Sequence, residues 1–136
     1  MKTIFINGLP VAQPRTKATK RGAFAGVYTP KTADTWKACI IKAIRDEGWE
    51  TIAGPVEVDL KFHMPRPKAH HKANGEIRAD APFHHSKKPD LDNLIKATLD
   101  AMTQAGAWRD DSQVSTIRAS KQYAFRLNKT GVRILI

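Results

Sequence analysis

Residues Val56 to Met64, VEVDLKFHM, constrain the fold more than any other stretch. Val56, Val58, Leu60 and Phe62 alternate with Glu57, Asp59, Lys61 and His63. Successive side chains of a strand point to opposite faces, so this period of two describes a strand with one buried and one polar face. Such a strand needs a sheet that is covered on one side. Two segments can supply the cover. Thr29-Pro30 offers a hydroxyl at N-cap and a proline in the first turn, after which Trp36, Ile40, Ala43 and Ile44 share a helical face and Gly48 provides a stop. After Pro89, with Asp90 as N-cap, Leu91, Leu94, Ile95, Leu99 and Met102 form a second apolar stripe that ends near Gly106. Lys2 to Gly8 reads as a short first strand. VSTIRASKQYAF and GVRILI read as two last strands joined by a turn around Asn128 to Gly131. The order is β-α-β-α-β-β. Its simplest packing is a two-layer α+β fold, a four-stranded mixed sheet with two helices, in a single domain over residues 1–136.

The chain carries 23 Lys and Arg against 13 Asp and Glu, a formal charge of +10. So large an excess in a small domain costs self-repulsion and points to a polyanionic partner, with nucleic acid foremost. Residues 10–30 read as a Pro- and Gly-punctuated basic loop in which Arg15, Lys17, Lys20 and Arg21 are candidate DNA contacts, with Phe24 and Tyr28 near its end. A flexible solvated connection has the same composition. Residues 66–89 hold four of the five histidines, as His70-His71 and His84-His85. Adjacent histidines do not share a face and no soft ligands lie nearby, so a mobile basic loop is expected here rather than a zinc site. The one cysteine, Cys39, excludes an internal disulfide and a Cys-based zinc site, and it is expected to be a buried thiol. No apolar run suits a signal peptide or a membrane span, so a soluble cytoplasmic protein is expected.

Against this basic background, five of the thirteen acids fall between Asp90 and Asp111, in KKPDLDNLIKA and AWRDDSQV. Asp92, Asn93, Lys96 and Asp100 lie opposite the apolar stripe, and Lys96 follows Asp92 by one helical turn. Each residue has an ordinary explanation: an Asp after Pro is a cap, Asp and Lys four apart are a surface pair, and two Asp after a helix make a turn. Together they suggest a different chemistry. Clustered carboxylates repel unless a cation joins them, and a hard ion such as Mg2+ takes a few carboxylates plus water and substrate phosphate. An ion held there can act on a phosphodiester, with Lys96 offsetting the charge that grows in the transition state. This requires the two ends of the segment to meet in space, or a partner subunit to supply the missing ligand. An aspartyl phosphotransferase fits less well, because its D-x-D ends a buried strand and this one opens a helix.

Lys88 to Val114, KPDLDNLIKATLDAMTQAGAWRDDSQV, resembles the signature of the RusA family of Holliday junction resolvases: D-x-D-N-x-x-K, an apolar helix, then a D-D pair before a strand. Asp90, Asp92, Asn93, Lys96, Asp110 and Asp111 supply every element. Weaker resemblance covers most of the chain, including the basic loop before VYTP and the strand ending FHMPRP. The resemblance implies a homodimeric, Mg2+-dependent endonuclease, with Mn2+ as a substitute ion, that makes paired cuts in four-way junction DNA during recombination or repair. By similarity Asp90, Asp92 and Asp111 bind metal and Lys96 is the catalytic lysine. Asp110 supports them, and Asn93 orients the helix start. It also implies a bacterial or phage-encoded, nucleoid-associated protein. The alternatives are a non-cleaving DNA-binding recombination accessory and a metal-dependent nuclease on other branched nucleic acid.

Overall fold

The structure, a computed structural model, describes residues 2–21, 24–28, 30–126 and 129–136, without the side chains of residues 19, 21, 24 and 25. Its strands are β1 (Thr3–Asn7), β2 (Lys17–Arg21), β3 (Phe24–Tyr28), β4 (Val56–Met64), β5 (Val114–Tyr123) and β6 (Gly131–Leu135). Its helices are α1 (Asp34–Asp46) and α2 (Leu91–Gln104). Short 3-10 turns occupy Lys68–His70 and Asp111–Gln113. The main sheet has four strands in the order β1-β6-β4-β5, with β4 parallel to β5 and antiparallel to β6. It is the mixed sheet of the expected α+β fold.

The alternation in β4 does what its period requires. Val56, Val58, Leu60, Phe62 and Met64 are all buried, and Leu60 and Phe62 have no exposed surface. They meet Trp36, Ile40 and Ile44 of α1 and Leu94 and Met102 of α2, so both helices cover one face of the sheet. Each large side chain buried this way contributes about 1.5–3 kcal/mol. Parallel strands need a long crossover, and α2 is the crossover between β4 and β5. This topology carries the aspartates at each end of α2 along the sheet.

Both helices close with the bond pair of a Schellman motif. In α2, Gly106 (φ 84°) donates to Thr103 O at 3.0 Å and Ala107 to Met102 O at 3.0 Å. Gly131 opens β6 at φ 149°, where a Cβ would lie 2.0 Å from the Ile6 carbonyl oxygen, so only glycine fits between the strands.

Several expectations are corrected. α1 starts at Asp34 with Ala33 as N-cap, after Thr29-Pro30, and Thr29 itself lies outside the described residues. The last two strands are not a hairpin. β6 inserts between β1 and β4, and the chain from β5 to β6 passes across the β4 end; Asn128 of the expected turn lies outside the described residues. Within residues 11–28, β2 and β3 pair as a separate two-stranded ribbon, with Lys17 opposite Tyr28. Cys39 is exposed, because it lies one position off the buried face of Trp36 and Ile40.

Residues 66–89 are held in place where mobility was expected. Tyr123 N–H donates to Phe83 O at 2.9 Å and His85 N–H to Lys121 O at 3.1 Å, which covers the end of the β5 edge. Arg66 bonds the carbonyls of Ala124 and Pro82, both at 2.8 Å. The rings of His70 and His85 each pack 4.8 Å from Tyr123. These histidines work as packing groups against a buried tyrosine. No helix among the described residues is long and apolar enough to cross a membrane.

Candidate active site

Asp90 is the N-cap of α2, with extended backbone (φ −69°, ψ 141°), and its carboxylate makes no capping bond. The entry to the helix is fixed instead from the sheet. Lys121 of β5 donates to the carbonyls of Lys87 at 2.5 Å and Pro89 at 2.6 Å. Its register opposite Phe62 puts it on the helix-covered face, so the ammonium reaches up into the turn before Asp90. Asp92 is exposed in the first turn, where Oδ1 accepts the Asn93 N–H at 2.9 Å. Both carboxylates stand at the N-terminal, positive end of α2. Asp92 therefore has a local structural use, whereas the Asp90 carboxylate faces solvent without a partner among the described residues.

The segment before β2 forms the wall beside them. Gln13 N–H donates to Asn93 O at 2.9 Å, which ties residues 11–16 to the first turn of α2. Arg15 lies where two clefts meet. One, of about 360 Å³, is lined with Asn93 and Lys96; the other, of about 620 Å³, with Lys88, Pro89, Asp90 and Asn93. Arg15, Lys88, Lys96 and Asp90 thus border one region. Among the described residues no ion pair ties Lys96 to Asp92 despite their one-turn spacing. Lys17 and Lys20 are exposed on β2, but an odd spacing of three puts them on opposite faces of the ribbon. The Arg21 side chain lies outside the described residues.

Asp111 belongs to the other end of α2. Asp110 caps the 3-10 turn by accepting the Ser112 N–H at 2.8 Å, which holds its carboxyl below the ordinary carboxylate range. Gln113 completes the turn, accepting N–H groups of Arg109 (2.8 Å) and Asp110 (3.1 Å) and donating to Ile52 O and Gly54 O. Asp111, now fixed in direction, accepts a hydrogen bond from the Thr103 hydroxyl. That hydroxyl accepts the indole N–H of buried Trp108 at 2.7 Å. Asp100 adjoins Asp111. Burial raises its pKa most, the negative charge and hydrogen bonding of Asp111 add to the rise, and Lys37, 3.7 Å away, opposes it together with Lys96.

From Asp92 to Thr103 the helix rises about 16 Å at 1.5 Å per residue. One copy of the chain therefore brings Asp111 to Asp100 and Thr103, not to Asp90 and Asp92. Among the described residues no three His, Cys, Asp or Glu side chains form a group that could hold a metal ion. The donors are hard oxygens of the kind Mg2+ prefers, and Asp90 is uncommitted, but the three-aspartate site does not assemble within one chain.

Four supporting residues escaped sequence reasoning. Lys121 left a signal: it stands in phase with Ile117, Ala119 and Tyr123, on the face that should be apolar. Asp100 lay on the recognised polar stripe, but nothing in sequence marks Lys37 of α1 as its partner. Thr103 looks like any polar helix residue until Trp108 folds back onto it.

The family profile described as Endodeoxyribonuclease RusA matches residues 7–135. The chain is 31% identical over 122 residues to the uncharacterized protein YqaN of Bacillus subtilis (strain 168), covering 88% of this chain and 85% of that one. It is 36% identical over 70 residues to the crossover junction endodeoxyribonuclease rusA of Enterobacteria phage 82 and to RusA of Escherichia coli (strain K12). Those two matches cover 52% of this chain and only 42% of each relative. With the profile spanning nearly every residue from β1 to β6, and the D-x-D-N-x-x-K helix and D-D turn lying within it, this chain belongs to the RusA endodeoxyribonuclease family.

Proposed function

We propose that this protein is an endodeoxyribonuclease that resolves four-way DNA junctions by paired, Mg2+-dependent cuts in recombination and repair, acting as a homodimer. The observation that carries this reading is the uncommitted Asp90 carboxylate, with Asp92 in the same turn, beside a cleft bordered by Arg15, Lys88 and Lys96. Carboxylates next to unpaired cations suit a phosphodiester approaching a metal, whereas a simple DNA binder gains nothing from acids facing phosphates. Arg15 and Lys88 bind the backbone by charge, and Lys96, projecting one turn beyond Asp92, offsets negative charge as it grows on the phosphate. Bound Mg2+ supplies charge neutralisation and an acidified water.

The split of the three aspartates supports the dimer. β5 is an edge strand, paired with β4 on one side, and the outer side of its Val114–Ser120 stretch has no strand against it among the described residues. Asp111 adjoins the start of β5, and Lys121 near its end holds the turn that leads into Asp90. A two-fold axis through the open edge would pair two β5 strands antiparallel. It would bring Asp111 of the partner subunit towards Asp90 and Asp92. A four-way junction has approximate two-fold symmetry, which an isologous dimer with two equivalent sites matches.

The test is incubation of the protein with end-labelled four-way, flap and linear duplex DNA, with Mg2+ or with chelator. Symmetric nicks in the four-way substrate that require Mg2+ are expected. Equal cutting of the flap would make it a general branch nuclease, and binding without cutting would make it an accessory.

A further inference from the structure

The helix-free face of the sheet carries a second basic site. Across three strands Phe5, Arg133 and Lys61 stand side by side in register, pointing away from α1 and α2. Phe5 and Arg133, with His63, Phe125, Arg126 and Lys129, line a groove of about 500 Å³. Among the described residues no carboxylate lines it. Asp59, two residues before Lys61 on the same face, lies along the strand beyond it. Among the described residues Lys61, Arg126, Lys129 and Arg133 take part in no ion pair. Two aromatic rings complete the groove. Phe125 is 59% exposed, with Phe83 5.8 Å away behind it, and Phe5 is set edge-on to His63 at 5.5 Å.

A large exposed phenylalanine among unpaired cations is an expensive surface unless something covers it. A purely protein partner would need carboxylates to meet three cations and an apolar patch to meet the ring. A nucleic acid strand offers both needs in each repeat unit: a phosphate for the cations and a base face for the ring. Paired bases in a duplex hide their faces, so the ring discriminates between the two forms. We propose that this groove binds unpaired nucleotides of a DNA strand, with Arg126, Lys129 and Arg133 on phosphates and Phe125 stacked on a base. His63 lies within the same positive field: its imidazole is held below its usual pKa first by burial and then by the nearby Lys61 and Arg133. This site lies on the sheet face opposite α2 and rests on the reading of the protein as a DNA enzyme. It would hold strand segments freed when a junction opens, away from the aspartates.

The probes are a fluorescein-labelled ten-nucleotide oligo-dT and a duplex of equal length, titrated by anisotropy against the wild type, Phe125→Ala and the double variant Arg126→Ser/Arg133→Ser. All three substituted side chains are exposed, and circular dichroism checks that the fold is kept. Phe125→Ala is expected to weaken oligo-dT binding about tenfold, as loss of one stacked base implies, and to leave duplex binding within twofold. The double variant should lower the salt slope for oligo-dT by about 1.4, two phosphates at about 0.7 each. His63 ring resonances should shift on adding oligo-dT. Wild-type binding confined to duplex, or variants that bind oligo-dT as the wild type does, overturn the proposal. Equal losses for both probes overturn it as well, because the ring then reads no base. Wild-type cleavage of a four-way junction, assayed alongside, reports separately on the nuclease reading.

Discussion

The Thr103 hydroxyl donates to the Asp111 carboxylate while accepting the indole N–H of Trp108. A threonine has one proton, and Leu99 O, 3.0 Å away, competes for it. A carboxylate oxygen is a stronger acceptor than a backbone carbonyl. With the indole occupying an acceptor site on the oxygen, the hydroxyl is oriented from a buried tryptophan and passes that orientation to an exposed aspartate. Thr103 is thus a positioning residue for Asp111. Thr103→Val keeps the shape and removes the relay. It is expected to slow junction cleavage about ten- to a hundredfold with junction affinity within twofold. It should also cost about 1–3 kcal/mol of stability, because the Trp108 N–H is left unpaired. Thr103→Ser should restore both. Loss of stability without loss of kcat would confine Thr103 to the fold.

Subunit mixing tests whether each site is shared between two copies. Asp92→Asn and Asp111→Asn homodimers should each bind junctions and cut none. In a mixed dimer one site carries both lesions and the other carries neither, provided Asp111 crosses between subunits. Mixing the two inactive proteins should therefore restore nicking of one strand per junction, without paired cuts. If each site lies within one chain, every site in the mixture is damaged and no nicking appears. A denaturing gel of the labelled junction separates these outcomes.

How much of this was legible in the sequence depended on how local each signal was. The β4 alternation and the α2 stripe are local: β4 formed with the expected buried face, whereas in α2 only Leu94 and Met102 of the stripe are fully buried, with Ala97, Thr98 and Ala101, while Leu91, Ile95 and Leu99 are partly buried. The fold class followed from them. Strand order was not local. VSTIRASKQYAF and GVRILI are neighbours in sequence and look like a hairpin, yet β6 pairs with β1 and β4, where Val132 and Ile134 find a better core than beside β5. The order of residues 66–89 comes from Tyr123 and Arg66, whose partners are far along the chain, so composition alone suggested mobility. The site divides in the same way. Every aspartate of the motif was visible, and so was the need for the two ends of α2 to meet; that Asp111 stays at the far end depends on Thr103 and Trp108, whose contacts appear only in the fold.

Lys96 and Arg15 border one cleft but should fail differently. If Lys96 offsets charge in the transition state as proposed, Lys96→Ala should lower kcat by more than it lowers affinity. Arg15 sits on the segment tied to Asn93, and if it binds phosphate as proposed, Arg15→Ala should weaken binding across DNA forms and lower the salt slope by about 1. Single-turnover rates at saturating protein, compared with affinities at two or more salt concentrations, separate the two. A Lys96→Ala protein that loses affinity and rate equally would make this lysine a phosphate anchor.

Acid should loosen the fold through its half-buried histidines. His63 is held below its ordinary pKa of 6.5, first by burial and then by Lys61 and Arg133. His85 is shifted the same way, by burial and then by Lys121. In the unfolded chain both take up protons as the pH falls through 6.5, while in the fold they stay neutral to a lower pH. Between those values the unfolded state binds more protons, so stability is present in full above about pH 7 and falls as the pH drops below 6.5. Thermal melts at pH 8, 7, 6 and 5 should show a flat Tm followed by a decline. His63→Gln keeps a polar ring-sized group beside Phe5 and cannot take the proton, so it should shallow the decline while leaving Tm at pH 8 nearly unchanged. An identical decline in the variant would place the acid sensitivity at His85 or elsewhere in the chain.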